Sequence, residues 1–366
     1  MLSPTPLSQG EAFARIRLLR SPNIGPVSYR QLLRRFGTAE AAVLALPDLA
    51  RRGGRAYVAA ATDRIEREVA GVRRAGARYL FHDQPDYPRL LAEAPGAPPI
   101  LTMRGRLALA AQPCVALVGA RNASAAAVQL AREFAGALAQ EGFTVVSGLA
   151  RGIDGAAHEG AFPATIGVIA SGIDIAYPPQ HRELQERIAT DGLLLAEQPV
   201  GTEPRGSHFP SRNRIIAGLA LGTLVVEAAP QSGSLITARL AGEYGREVMA
   251  IPGSPLEPRS AGANELIRDG AVLVQQPAQV AELLRRFDGS PRSSLAEGGA
   301  SYQPYEDELA GESADIAGLM SPAPVAVDEL IRQSGQPAGS VQMALLELEI
   351  AGRLARHEGG RVSLTG

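Results

Sequence analysis

The segment FPSRNRIIAGLALGTLVVEAAPQSGSLIT, from Phe209 to Thr237, gathers residues suited to holding a phosphate. Arg212 and Arg214 flank Asn213 with no acid beside them. An apolar strand over 223–226 ends in Glu227, and the turn Ser232-Gly233-Ser234 then opens a helix. Free N–H groups at a helix start, a glycine turn and planar guanidinium groups together make an anion site.

Similar signals close other apolar runs. The run at 114–118 leads into Gly119-Ala120-Arg121-Asn122, with Ser124 placed as a helix cap. The run at 144–147 ends in Ser147-Gly148, with Arg151 soon after. A third ends near Ser171-Gly172-Ile173-Asp174, before Tyr177-Pro178, and Glu197 closes a fourth. The loop 205–214 holds Arg205, His208, Phe209, Arg212 and Arg214. An aromatic ring among arginines can stack a base while the cations hold the backbone. Anchoring of the loop in the core accounts for Phe209 equally well. Each signal alone is weak, since an arginine in a loop is usually a solvated charge and SGS usually a plain cap. Together they place several glycine turns and arginines at one edge of one sheet.

Enzymatic chemistry is poorly supported. The strings G-x-S-x-G, G-x-G-x-x-G and the P-loop are all missing. Every basic residue other than histidine is arginine, which removes phosphate-loop and Schiff-base lysines. A high-GC genome explains the same bias. His158 follows Asp154 at helical spacing with no third ligand in range, so a helix-face hydrogen bond is expected and no metal. Asp154, Asp174 and Glu227 could act as acid or base, or simply cap helices and pair with arginines. No catalytic residue and no cofactor is expected. The competing enzyme reading is a nucleotide-processing, phosphoribohydrolase-like Rossmann protein. Against it, the string Pro-Gly-Gly-x-Gly-Thr is missing and the first Glu after Ser234 is Glu243.

These residues need a scaffold. Apolar runs at 114–118, 144–147, 165–169, 193–196, 223–228, 247–251 and 271–274 alternate with helical stretches such as 124–140. That alternation predicts an α/β fold with a parallel sheet covered on both faces and ligands at its C-terminal edge. Short strands are expected at 79–81 and 100–103. Residues 1–77 form a helical domain whose turn Asn23-Ile24-Gly25-Pro26 resembles a helix-hairpin-helix or SAM-like element, or an ordinary helix corner. The α/β domain spans 78–287, a Gly/Ser/Pro-rich acidic linker 288–312, and a winged-helix-like domain 313–366. In the last, helices are expected at 315–320, 327–334 and 340–351, then a hairpin over 354–364. The third helix would be the recognition helix of a duplex-DNA regulator, but it offers Gln342 beside Glu347 and Glu349 and suits a protein contact better.

A chain of 366 residues with net charge −2 fits two or three domains and names no partner by charge alone. Locally, residues 1–80 carry 14 Arg against 6 acids. The single cysteine, Cys114, excludes a disulfide framework. No signal-peptide core and no apolar run of about 18 residues occurs, so a cytoplasmic protein without membrane association is expected.

The strings VALVGARNAS, VVSGLARGIDGAAH, TIGVIASGIDIAYP, LLLAEQPVGTEPRGSHFPSRNRIIAGL, VVEAAPQSGSLITARLA and AIPGS…SAGANELIRDGA occur in order over about 112–275. They resemble the DNA-processing protein A family (DprA, also called Smf). The resemblance implies an extended Rossmann-like core with accessory N- and C-terminal domains. It also implies a cytoplasmic protein that binds and protects single-stranded DNA, loads RecA in natural transformation, and dimerises through the Rossmann-like domain. The DNA contacts it implies fall on Gly119 and Arg121, on Arg205 to Arg214, and on Ser232 to Ser234. The chain departs from the family pattern at Ala125-Ala126, at Ala170-Ser171 and at His181. On this reading Arg121→Ala or Arg212→Ala weakens single-strand binding at near wild-type thermal stability. Arg214 could instead pair with Glu227.

Overall fold

The computed structural model describes residues 7–287, 292, 315–357 and 359–365. The expected linker, 288–312, lies outside the described residues apart from Arg292. The chain divides into two compact units, Met1–Arg67 with Ala300–Gly366, and Glu68–Gly299.

The chain opens with helices α1 (Gln9–Leu19), α2 (Pro26–Phe36), α3 (Ala39–Arg52) and α4 (Thr62–Arg74), the last crossing the unit boundary. Caps set their starts: Ser8 Oγ accepts from Glu11 N–H, and Thr38 Oγ1 from Ala41 N–H. The Glu11 carboxylate also accepts from Ala39 N–H and Arg15, fixing α3 against α1.

The second unit is a nine-stranded sheet. In chain order it comprises β1 (Arg78–Phe81), α5 (Arg89–Ala92), β2 (Ile100–Gly105), β3 (Cys114–Val118), α6 (Ala125–Gln140), β4 (Thr144–Ser147) and α7 (Ile153–Ala161). It continues with β5 (Thr165–Gly172), α8 (Arg182–Asp191), β6 (Leu193–Gln198), α9 (His208–Leu219), β7 (Gly222–Val225) and α10 (Gly233–Glu243). β8 (Glu247–Ala250), α11 (Ala261–Arg268), β9 (Val272–Leu273) and α12 (Pro277–Arg285) complete it. The strand order is β1-β2-β6-β5-β4-β3-β7-β8-β9. The run from β6 to β9 is parallel, as the sequence pattern predicts. β1 and β2 extend the β6 edge antiparallel.

Side chains alternate between the two covered faces, which is why these strands read as unbroken apolar runs. Val115, Leu117, Val145 and Leu224 pack under α6, α7 and α12. Ala116, Val118, Val146 and Val225 face α9, α10 and α11. Ile169, Leu194 and Ala196 meet Leu184 and Ile188 of α8. From β3 the chain builds outward through β4, β5 and β6, then returns to place β7 on the other side of β3. Connections therefore diverge above β3, the place where such sheets open a crevice at their C-terminal ends.

The chain then rejoins the first unit with β10 (Val325–Ala326), α13 (Val327–Ser334), α14 (Ala338–Ile350), β11 (Leu354–His357) and β12 (Arg361–Leu364), the strands ordered β10-β12-β11. The helix expected at 315–320 is only a 3-10 turn, Ala317–Leu319. Gly318 sits inside it and Met320 is already extended ahead of Ser321-Pro322, so the turn cannot propagate. Besides a core of its own around Leu330, Val341 and Leu345, the winged-helix segment shares one with the N-terminal helices. Leu18, Leu32 and Leu46 share one apolar cluster with Met343, Leu346 and Ile350.

Candidate nucleic-acid interface

A cleft of about 240 Å³ opens beyond the ends of β3, β4 and β5, lined by Arg121, Gly148, Arg151, Tyr177, Pro204 and Phe209 among others. Its floor is polar but closed. Ser147 is fully buried and its Oγ donates to Leu117 O at 2.6 Å, tying β4 to β3. Arg212, from α9, is only 6 % exposed. Its Nη1 donates to Gly148 O and, at 2.7 Å, to Val168 O, so one guanidinium bridges β4 and β5. Gly148 has no choice of residue, because a Cβ there would stand 1.9 Å from Arg212 Nη1. Gly119 is held as closely, since its Cβ would come 2.6 Å from Ile153 Cγ1.

Two carboxylates occupy the places where a Rossmann-type protein would receive phosphate. Glu227, at the end of the β7 run and 5 % exposed, accepts from Ser124 N–H at 3.0 Å and from Ser124 Oγ–H at 2.7 Å. It thereby neutralises the N-terminus of α6. Asp154 Oδ2 accepts from the N–H groups of Gly148 at 3.2 Å and Ala150 at 3.3 Å. Burial raises the Asp154 carboxyl's pKa, opposed by Arg212 and these backbone donors. Burial in turn lowers Arg212 to about 10, with Asp154 pulling it back up and Arg121 adding to the fall. An incoming phosphate would meet a carboxylate at either place, which excludes a dinucleotide mode of binding at α6.

Beneath lies a histidine pair, His158 buried and His181 half-buried. His158 Nε2 accepts from Leu149 N–H at 3.3 Å, so its Nδ1 carries the proton and donates to Thr165 Oγ1 at 2.7 Å, whose hydroxyl donates to Val145 O at 2.8 Å. Burial pushes His158 down to about 3, assisted by His181 and Arg212. His181 Nδ1 bonds Leu149 O at 2.9 Å. Leu149 has φ +55, and these two histidines hold its backbone there. The expected helix-face hydrogen bond of His158 is thus a buried strut, and His181 has a similar part.

The rim is different. Arg121 and Arg151 line the cleft, Arg205 follows the lining residue Pro204, all three are exposed, and among the described residues none has a carboxylate partner. Arg121 Cζ stands 4.7 Å from the centre of the Phe209 ring, whose other neighbour is Tyr177 at 5.8 Å and 55°. Phe209 is therefore half-buried between a cation and a second ring, while Tyr177 keeps 42 % exposure. His208 opens α9, and its Nδ1 accepts from Arg205 N–H at 3.3 Å. Ser207, the cap position of α9, forms no side-chain cap bond.

The remaining expected residues have hydrogen-bond partners within the fold. Asn213 Nδ2 donates to Gly233 O at 3.1 Å, joining α9 to the start of α10. Ser232 Oγ and Ser234 Oγ pair with each other at 2.8 Å, and this turn lies outside the cleft lining. Arg214 pairs with Glu197 and Gly96 O, not with Glu227, because Glu227 is committed to Ser124. Arg212, expected at the surface, is internal. Its replacement cannot be thermally neutral, contrary to the sequence expectation. Tyr177 was not singled out. Its string Tyr177-Pro178 was visible after β5, but nothing in the spacing connects it to Phe209.

The architecture is that of a Rossmann-like protein with an arginine-rimmed cleft at the sheet edge, joined to a helical module and a winged helix. Three family models match in sequence: the DprA-like N-terminal HHH domain over 9–71, DNA recombination-mediator protein A over 78–285, and the DprA winged helix domain over 300–360. The chain belongs to the DNA recombination-mediator protein A (DprA/Smf) family. It is 35 % identical over 333 residues to Protein Smf of Escherichia coli, covering 89 % of this chain and 87 % of that one. It is 46 % identical over 191 residues to the DNA processing protein DprA of Streptococcus pneumoniae, covering 51 % and 67 %. The X-ray structure of that pneumococcal protein matches with TM-score 0.63 at 34 % identity, over 78 % of this chain and 99 % of that one. The structure of Helicobacter pylori DNA processing protein A, described for its single-stranded DNA binding mode, matches with TM-score 0.53 at 30 % identity, over 57 % and 95 %.

Two outcomes follow from the floor. Arg212→Ala strands Asp154 and the carbonyls of Gly148 and Val168, and should cost about 3–5 kcal/mol in denaturant unfolding, whereas Arg121→Ala should stay within about 0.5 kcal/mol. His158 sets a pH dependence. The unfolded chain takes up its proton below about 6.5 and the native state only near 3, so its contribution is complete above 6.5 and is lost as pH falls through that window. Wild type should lose up to about 1.4 kcal/mol per pH unit relative to His158→Gln between roughly pH 6.5 and 4.5. Parallel Tm-versus-pH curves for the two proteins would refute this.

Proposed function

We propose that this protein is a non-enzymatic single-stranded DNA-binding recombination mediator that protects incoming strands and loads RecA onto them. It would act in the cytoplasm as a homodimer through the Rossmann-like domain. The observation that carries the reading is the rim: three exposed arginines without carboxylate partners, around a cleft with an aromatic face. Arg121, Arg151 and Arg205 would take successive phosphates, aided by the uncapped start of α9. The ring of Tyr177, more than that of Phe209, would offer a base its stacking surface, because Arg121 already covers one Phe209 face. With its helix-end anion sites filled by Glu227 and Asp154, the cleft favours a strand laid across the edge over one nucleotide held deep within it. The membership of the chain in a recombination-mediator family supports the same reading.

Fluorescence anisotropy of labelled oligo-dT against the matching duplex, at two salt concentrations, tests it. Tight single-strand binding is expected, with a log–log salt slope of roughly −0.7 per phosphate neutralised. Arg121→Ala, Arg151→Ala and Arg205→Ala should each weaken binding about three- to tenfold and flatten that slope. Tyr177→Ala should weaken binding with the slope unchanged, by about 1–3 kcal/mol. Unaltered affinity in all three arginine variants would remove the rim from the mechanism. RecA loading is read separately, as filament formation on strands coated beforehand with a competing single-strand binder.

A further inference from the structure

The helix in the recognition position of the winged domain, α14, is not presented to solvent. Eleven of its thirteen residues are buried. One side, with Val341, Ala344, Leu345 and Leu348, packs in its own domain. The other, with Met343, Leu346 and Ile350, packs among the N-terminal helices. Polar contacts fasten the seam. Asn23 Nδ2 donates to Ile350 O at 3.1 Å, Arg353 Nη1 to Gly53 O at 3.0 Å, and Gln31 Nε2 to Gln342 Oε1 at 3.3 Å. Arg52 lies 3.6 Å from the Glu347 carboxylate. At Gly53 the backbones touch so closely that a Cβ would fall 2.2 Å from Glu347 O.

The chemistry of α14 agrees with this partner and not with a groove. It carries no arginine, and Glu347 and Glu349 would face phosphates. Gln342, its one base-reading side chain, is 4 % exposed. Three donors of the N-terminal hairpin are engaged within the protein. Gly25 N–H is taken by Ser28 Oγ at 2.9 Å, Ile24 N–H by Ser21 O at 3.3 Å, and the Asn23 amide by Ile350 O.

We propose that α14 is a protein-docking helix whose partner is the N-terminal helical module of the same chain, and that this pairing, not duplex reading, is the task of the winged domain here. The proposal is independent of the single-strand cleft. Two variants of the full-length protein test it. Gly53→Leu drives a side chain into the seam without backbone strain, since Gly53 has φ −70. Asn23→Ala with Arg353→Ala removes two seam bonds and adds no bulk. Calorimetry and duplex-DNA anisotropy are read on both. The endotherm of this unit should fall by about 5 °C or more, or split, in Gly53→Leu and move the same way in the double variant, while duplex affinity stays within about twofold of wild type. A tenfold gain in duplex affinity in either variant would overturn the proposal, because α14 would then be a masked groove reader. Unshifted endotherms in both would overturn it as well, by showing a seam that contributes nothing.

Discussion

A charge without water holds the site open. Arg212 brings a guanidinium under the cleft and donates to Gly148 O, just past the end of β4, and to Val168 O within neighbouring β5. Taking such a group out of water costs several kcal/mol, offset here by the carbonyls and by Asp154. Gly148 must lack a side chain for the guanidinium to fit, and Asp154 must turn inward to face it. Leu149 is then forced into the left-handed region, where His158 and His181 secure it. The cleft floor is thus one connected polar assembly beneath a rim of free arginines.

The inward carboxylates occupy the backbone donors at the strand ends. A Rossmann-like sheet normally presents a helix N-terminus to a phosphate at the point where its connections diverge. Here Glu227 supplies the anion from within, bound to Ser124, and Asp154 does so at the β4 turn. The Arg212 guanidinium is spent on carbonyls in the floor, and the exposed positive charge stands at the outer rim. The same fold that elsewhere encloses a nucleotide is converted into a surface.

Much of this was legible in the residues. The strands over 114–118, 144–147, 193–196 and 247–251 stand within about two residues of their predicted bounds. A doubly covered parallel strand has nothing but apolar side chains to show, and its periodic helices leave few alternatives. What could not be read was the fate of identical letters. Arg121, Arg212 and Arg214 lie in equally polar strings, yet one is free, one is buried and one is paired with Glu197. That difference depends on which carbonyls and carboxylates the fold brings near, a tertiary fact with no local signature. Tyr177 escaped for the same reason, because its partner Phe209 arrives from α9, one strand later in the chain.

The shared core of the first unit also bears on synthesis. Its helices α1 to α3 leave the ribosomal tunnel before the nine-stranded sheet does, and Met343, Leu346 and Ile350, which complete their packing, emerge after that sheet. The usual N-terminal-first order of domain maturation therefore lacks part of the packing it needs here. The nine-stranded sheet can close while the helices that precede it still wait, with Leu18, Leu32 and Leu46 only partly covered. A nascent chain stalled before residue 340 would carry a finished Rossmann-like domain and an unfinished beginning.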